Sequence, residues 1–297
     1  MPLNLASLLA EDARTASAPP PRLTISEWAD QYGVLSAESS AEPGPWRTYS
    51  YQKAMLDAFV QPEVERVIVL KSARIGWTKI LGHVIGYHIH LDPCSMLVVQ
   101  PTIDDAEGWS KEECQPNIED TPVLLERVGD QKSRATGNTI TKKHYPGGIL
   151  HIIGANSPRG FRRISTRLCL FDEVDGYPPT AGTEGDQLKL GEKRTETFWN
   201  RKIGIGSTPT EKDLSRIEKS YERSSKGYFV LTCPECGGEH IRLFRQPEEP
   251  ITVRGQKLKV AHLYWEDDLP HTAGWICPDC GSLLDHSHHR RMMERGY

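Results

Sequence analysis

Apolar and polar positions along the chain fall into five short strand-like patterns. Val64–Leu70 starts by alternating and ends in the apolar run Val67-Ile68-Val69-Leu70, the pattern of a strand covered on both faces. Met96–Gln100, Ile149–Ile153, Leu168–Phe171 and Ile203–Ser207 repeat it. Lys79–Ile85 follows the first pattern, with apolar residues at helical spacing. Strands alternating with helices predict an α/β fold around a mostly parallel, doubly wound sheet. The loops at the strand C-termini then form the site.

Composition narrows the picture. At 297 residues, the chain has room for one large core and a smaller domain. A formal net charge of −4 is no global nucleic-acid signature, so DNA contact requires a local patch. No apolar run approaches the roughly 20 residues of a membrane helix, and no signal peptide opens the chain. The reading is therefore cytoplasmic, without a membrane partner. The Ala/Ser/Pro-rich stretch to Pro21 is expected to be disordered.

Candidate chemistry gathers at two strand ends. Leu168–Phe171 delivers Asp172 and Glu173, two adjacent acids. The first suits a Mg²⁺ bridging phosphates, the second an attacking water; a solvated turn is the plain alternative. Val64–Leu70 runs into Lys71-Ser72-Ala73-Arg74-Ile75-Gly76-Trp77-Thr78. Compared with G-x-x-x-x-G-K-[ST], Gly76 and Thr78 keep their places, Trp77 replaces the lysine and Lys71 replaces the first glycine. The required elements survive: backbone N–H groups of Ser72, Ala73, Arg74 and Gly76 at a helix start, the Thr78 hydroxyl, and a cation from Lys71. Lys79 is the rival cation, and an ordinary strand–turn–helix the plain alternative. If Lys71 acts, Trp77→Lys is expected to restore a cation at the usual position.

Two further clusters stand out. Arg159, Arg162, Arg163 and Arg167 place four arginines within nine residues just before the acid strand. They suit DNA phosphates or a transition-state charge, or are simply a solvated face. Cys233-Pro-Glu-Cys236-Gly and Cys277-Pro-Asp-Cys280-Gly are matched knuckles, predicted to hold one structural Zn²⁺ with all four thiolates. The 40 residues between Cys236 and Cys277 imply a small insert. A disulfide pair is the rival reading. Cys94, Cys114 and Cys169 read as core, and His240, His286, His288 and His289 as surface.

The loop Lys71–Lys79 resembles the deviant phosphate loop of the large terminase subunit of lambda-type phages, where the lysine opens the loop and an aromatic takes its usual place. Trp28-Ala29-Asp30, Ser39–Trp46, Tyr51-Gln52, Gly154–Pro158, Leu170–Asp175 and Gly206–Thr210 resemble other blocks of that family, so the resemblance runs from about Leu23 to the end. It implies a P-loop NTPase of RecA/ASCE-like type over residues 45–225, a lead-in over 1–44, a zinc ribbon over 226–285 and a tail over 286–297. It further implies an ATP-hydrolysing motor that packages double-stranded DNA, assembled as a homo-oligomer with a small terminase subunit and a portal on the procapsid. Tyr51 and Gln52 become adenine contacts, and Ser207 and Thr208 a γ-phosphate sensor coupling hydrolysis to DNA.

A superfamily-2-like translocase uses the same acids but needs a second RecA-like domain after residue 225. A non-catalytic zinc-bearing DNA-binding fragment is the other alternative. Relatives in the resembled family continue into a metal-dependent endonuclease. The short stretch after Cys280 leads to the expectation that this activity is absent from the chain.

Overall fold

The computed structural model describes residues 22–297 except 39, 41, 130–136, 163, 244, 245, 248 and 254. The stretch expected to be disordered, Ser39, Ala41 and Arg163 lie outside the described residues.

Thr24 caps α1 (Ile25–Tyr32) through a capping box with Glu27. A two-residue pairing of β1 (Val34–Leu35) with β2 (Gly44–Pro45) leads to α2 (Ser50–Asp57). The alternating sequence then produces β3 (Arg66–Leu70), α3 (Trp77–His90), β4 (Met96–Gln100) and α4 (Ile103–Trp109). A π-helical turn, Ser110–Cys114, continues into α5 (Gln115–Asp120) and α6 (Pro122–Val128). The remaining core elements are β5 (Lys142–Tyr145), β6 (Gly148–Gly154), β7 (Leu168–Asp172), α7 (Gln187–Glu192), β8 (Lys202–Ser207) and α8 (Arg216–Glu222).

The sheet order is β3-β8-β7-β4-β6-β5. The first five strands run parallel, as the apolar runs predict; β5, which the sequence reading missed, pairs antiparallel with β6 at the edge. Every residue of β4, β7 and β8 is buried, because helices cover both faces. Val67, Val69, Met96, Val98, Leu168 and Leu170 face one core with Trp28 of α1 and Ile80, Leu81 and Val84 of α3. Leu97, Val99, Cys169, Phe171, Ile203 and Ile205 face a second core with Ile217 of α8.

The rest of the chain folds on a separate small sheet. It comprises β9 (Leu231–Thr232), β10 (Glu239–Arg242), β13 (Val260–Glu266), β14 (Leu269–Ile276) and β15 (Leu283–Leu284) in the order β15-β14-β13-β10-β9. Between β10 and β13 sits the small hairpin of β11 (Thr252–Val253) and β12 (Gln256–Lys257), part of the expected insert. The segment read as a tail carries a helix, α9 (His286–Arg295), capped by Asp285. Its Met292 is buried against Cys233, Cys277, Leu231 and Leu284. His240, expected at the surface, is 1% exposed. Among the described residues, no helix is long and apolar enough to cross a membrane.

Candidate functional site

Parallel pairing brings the C-terminal ends of β3, β8, β7 and β4 to one edge of the sheet, and the polar residues that follow them meet there. β3 and β7 are not neighbours; β8 lies between them. This order leaves a gap between Lys71 and Glu173 that their side chains close: Lys71 Nζ donates to Glu173 Oε1 at 2.6 Å. Lys71 is buried to 8% exposure, and its ammonium also reaches Thr208 Oγ1 at 3.4 Å. Ser207 Oγ and the Thr208 N–H donate to the other Glu173 oxygen at 3.3 and 3.4 Å. Lys71, Glu173, Ser207 and Thr208, chosen separately from sequence, thus form one network.

Glu173 holds its position in a left-handed backbone conformation, φ 48° and ψ 51°. For a residue with a β-carbon that geometry is costly, and surrounding contacts must impose it. Here β7 ends one residue earlier and the short helical turn Val174–Gly176 begins one residue later. Asp175 anchors that turn: its carboxylate accepts from the Thr210 N–H at 3.0 Å and the Ile217 N–H at 2.9 Å.

Asp172 sits deeper. Gln100, at the tip of β4, donates to its Oδ2 at 3.2 Å, a partner that sequence reading missed. Its Oδ1 is buried without a hydrogen bond. Burial, with Glu173 alongside, pushes the carboxyl up to about 6. A dry carboxylate oxygen without a protein partner is a fitting ligand for a cation. Thr78 lies in the first turn of α3, half-buried.

The phosphate-loop segment turns at Gly76, which caps α3 with φ 83° and ψ 21°, a conformation suited to glycine. Ser72, Ala73 and Arg74 are exposed at the mouth, and Arg74 also has positive φ, 64°. Trp77, by contrast, turns inward. It is 2% exposed, and its ring lies so close to Gly206 of β8 that a Cβ there would meet it at 2.2 Å. Trp77 therefore fastens α3 to β8, and its position offers no room for the cation expected from Trp77→Lys. The rival cation Lys79 is engaged elsewhere, 2.6 Å from Glu113 of the π-helical turn.

Gln52 is bonded to the chain at both ends of its amide. Its amide nitrogen donates to Ile75 O at 3.0 Å and its oxygen accepts the Tyr49 N–H at 3.0 Å, with 2% of the residue exposed. It braces the loop from behind. Tyr51 donates to the same Ile75 carbonyl at 3.1 Å while its ring lies parallel to Tyr49, centroids 5.8 Å apart. Arg159 and Arg162 stay exposed beyond β6, and Arg162 pairs with Glu184. Arg167 lies at the opposite end of the sheet, its guanidinium bonded to Asp92, so it cannot serve this site.

In the small sheet, Cys233, Cys236, Cys277 and Cys280 place their sulfurs within 4.8 Å of one another. Cys233–Cys280 and Cys236–Cys277 are 3.9 and 3.8 Å apart. Tetrahedral zinc with Zn–S bonds of about 2.3 Å sets neighbouring sulfurs about 3.8 Å apart, so the cage fits that ion. All four thiols are free, and each knuckle closes by backbone bonds, Gly237 N–H to Cys233 O and Gly281 N–H to Cys277 O. Cys94, Cys114 and Cys169 are buried core thiols.

Residues 40–297 match a family model described as phage terminase large subunit gpA, ATPase domain. The chain is 30% identical over 287 residues to the terminase large subunit of Enterobacteria phage P21, covering 96% of this chain and 43% of that protein. It is 30% identical over 267 residues to that of Escherichia phage lambda, covering 89% and 40%. It thus spans less than half the length of these relatives. Its fold is similar to that of the HK97 bacteriophage large terminase, with TM-score 0.56 and 14% identity over 68% of this chain and 41% of that one.

Proposed function

The chain belongs to the ATPase-domain family of the phage terminase large subunit, and on that premise we propose that it is the ATP-hydrolysing motor of double-stranded DNA packaging. One observation carries the reading. Lys71 and Glu173, 2.6 Å apart, converge from separate strands at the tip of the strand between them. That interposed strand also supports the RecA/ASCE-like assignment, and the bonds of Ser207 and Thr208 to Glu173 support a sensing role for them.

The chain's own residues divide the work. Backbone N–H groups around Gly76, at the N-terminus of α3, receive the phosphates. Lys71 offsets charge on the β- and γ-phosphates, and to do so its ammonium exchanges Glu173 for phosphate oxygen. Glu173, released, orients and deprotonates the attacking water. Asp172 and Thr78 would hold Mg²⁺, which supplies charge neutralisation on the phosphates when bound. Ser207 and Thr208, already bonded to Glu173, register the exchange and pass it along β8 towards DNA-gripping segments. Arg159 and Arg162, with Arg163, remain the arginines for DNA or for the transition state, and Tyr51 the aromatic for adenine.

In the small sheet, Cys233, Cys236, Cys277 and Cys280 hold a structural Zn²⁺. Assembly with a small terminase subunit and a portal as a homo-oligomer in the host cytoplasm belongs to the same proposal. The test is ATP-driven packaging of double-stranded DNA by the assembled complex. Glu173→Gln should still bind ATP and package nothing; packaging by that variant would refute the reading.

A further inference from the structure

The Cys-bearing sheet is not an appendage. Its connection to the core passes through α2, the helix that braces the phosphate loop. Tyr51 of α2 meets Phe229 edge to face, ring centroids 5.9 Å apart at 75°. On its other side Phe229 packs with the buried group containing Cys233, Cys277 and Met292. Gly296 gives it room, since a Cβ there would strike the Phe229 ring at 2.3 Å. The chain around it is pinned by a reciprocal backbone pair, Val230 with Tyr297, at 2.8 and 3.1 Å. A second tie runs alongside: Ser50 Oγ, at the start of α2, donates to the Met293 carbonyl of α9.

The path continues inward. The Tyr51 hydroxyl donates to Ile75 O at 3.1 Å, and Gln52 donates to the same carbonyl at 3.0 Å. Ile75 precedes Gly76, the left-handed cap of α3 on which the phosphate-facing backbone turns. An unbroken line of contacts therefore links the four-thiolate cage, Phe229, Tyr51, Ile75 and Gly76. Motif reading finds neither end of the Tyr51–Phe229 contact in the other's motif.

We infer that Phe229 is a positioning residue for the nucleotide site: the zinc-bearing sheet sets the phosphate loop through the Phe229–Tyr51 contact. The inference rests on the nucleotide site proposed above. It makes the four cysteines more than a local staple. The core that contains Cys233 and Cys277 holds Phe229, Phe229 seats the Tyr51 ring, and the Tyr51 hydroxyl holds the carbonyl ahead of the cap. An edge-to-face aromatic contact carries enough energy to change affinity about three- to tenfold when it is lost.

The experiment titrates a fluorescent ATP analogue into wild type, Phe229→Ala, Tyr51→Ala and the double variant, with zinc content measured on each. Phe229→Ala should retain zinc and bind the analogue about three- to tenfold more weakly. Added to Tyr51→Ala it should cost nothing further, because Phe229 acts through the Tyr51 ring. Wild-type affinity in zinc-loaded Phe229→Ala, or full additivity in the double variant, would overturn the inference. Should Phe229→Ala lose its zinc, Phe229→Leu takes its place with the same expected loss and the same overturning result. Wild-type protein that binds no nucleotide would instead remove the site itself, and both readings with it.

Discussion

Lys71 and Glu173 form an ion pair, the ammonium 2.6 Å from the carboxylate although their strands are separated by β8. In the proposed mechanism each must release the other before phosphate binds and water is activated. The Lys71 side chain is 7% exposed and that of Glu173 46%, so the pair sits at the rim of the buried site. Breaking it is feasible only when phosphate oxygens replace the lost carboxylate.

Glu173→Gln follows from that exchange. It removes the competing charge on Lys71 while leaving Asp172 in place. ATP affinity should hold or rise by a few-fold, and turnover should fall at least ~10²-fold through lost water activation. Equilibrium binding beside single-turnover hydrolysis checks both; weaker binding would show that Glu173 helps to hold nucleotide rather than competing with it.

Trp77→Lys should not supply a loop cation. The ring it removes is packed against Gly206, and the new ammonium would be buried without a partner. The cost is expected to be several kcal/mol, read as a lowered denaturation midpoint. A stable Trp77→Lys protein that restores turnover to Lys71→Ala would refute this placement.

Zinc content gives an independent check on the second sheet. Purified protein should carry about one Zn²⁺ per chain, and Cys233→Ser or Cys280→Ser should release it and loosen the sheet with α9. Metal analysis of fresh protein that finds none would remove the zinc assignment and leave Lys71, Glu173 and their network untouched.

Acid should destabilise the core through His83. Burial, then the nearby Lys79 charge, lowers this imidazole to about 3, and both its ring nitrogens lack hydrogen-bond partners. Its ring packs against Trp46, tilted by 56° with ring centroids 4.4 Å apart. Below the unfolded value near 6.5, the unfolded chain takes up a proton that the folded chain refuses. Stability is therefore lost as pH falls from 6.5 towards 3, by about 2 kcal/mol at pH 5. Denaturant melts across that range should show the loss, and His83→Phe should flatten it; an unchanged slope in the variant would assign it elsewhere.

Much of this was legible before folding. Five apolar runs announced the five parallel strands, because a strand buried on both faces writes its environment into consecutive residues. The knuckles were legible because a four-thiolate cluster demands a fixed local spacing. What stayed hidden depends on neighbours far away in the chain. That β8 separates β3 from β7 is a fact of sheet order. Gln100 lies at an unremarkable strand end, and its role appears only where β4 pairs beside β7. Gly206 matters because Trp77 arrives from another element. That Gln52 bonds the chain at both ends of its amide depends on the loop residue Ile75, 23 positions away. The arginine run looked continuous in sequence, yet Arg167 stands just before β7, at the end of the sheet opposite Asp172.

Lys71, displaced to the start of the loop, is the proposed catalytic cation, while Lys79 is occupied by Glu113. DNA-stimulated ATP turnover of Lys71→Ala and Lys79→Ala, measured side by side in the assembled motor, tests it most directly. The account predicts that Lys71→Ala falls roughly 10²-fold or more while Lys79→Ala keeps turnover near wild type. Full turnover in Lys71→Ala together with its abolition in Lys79→Ala would contradict it.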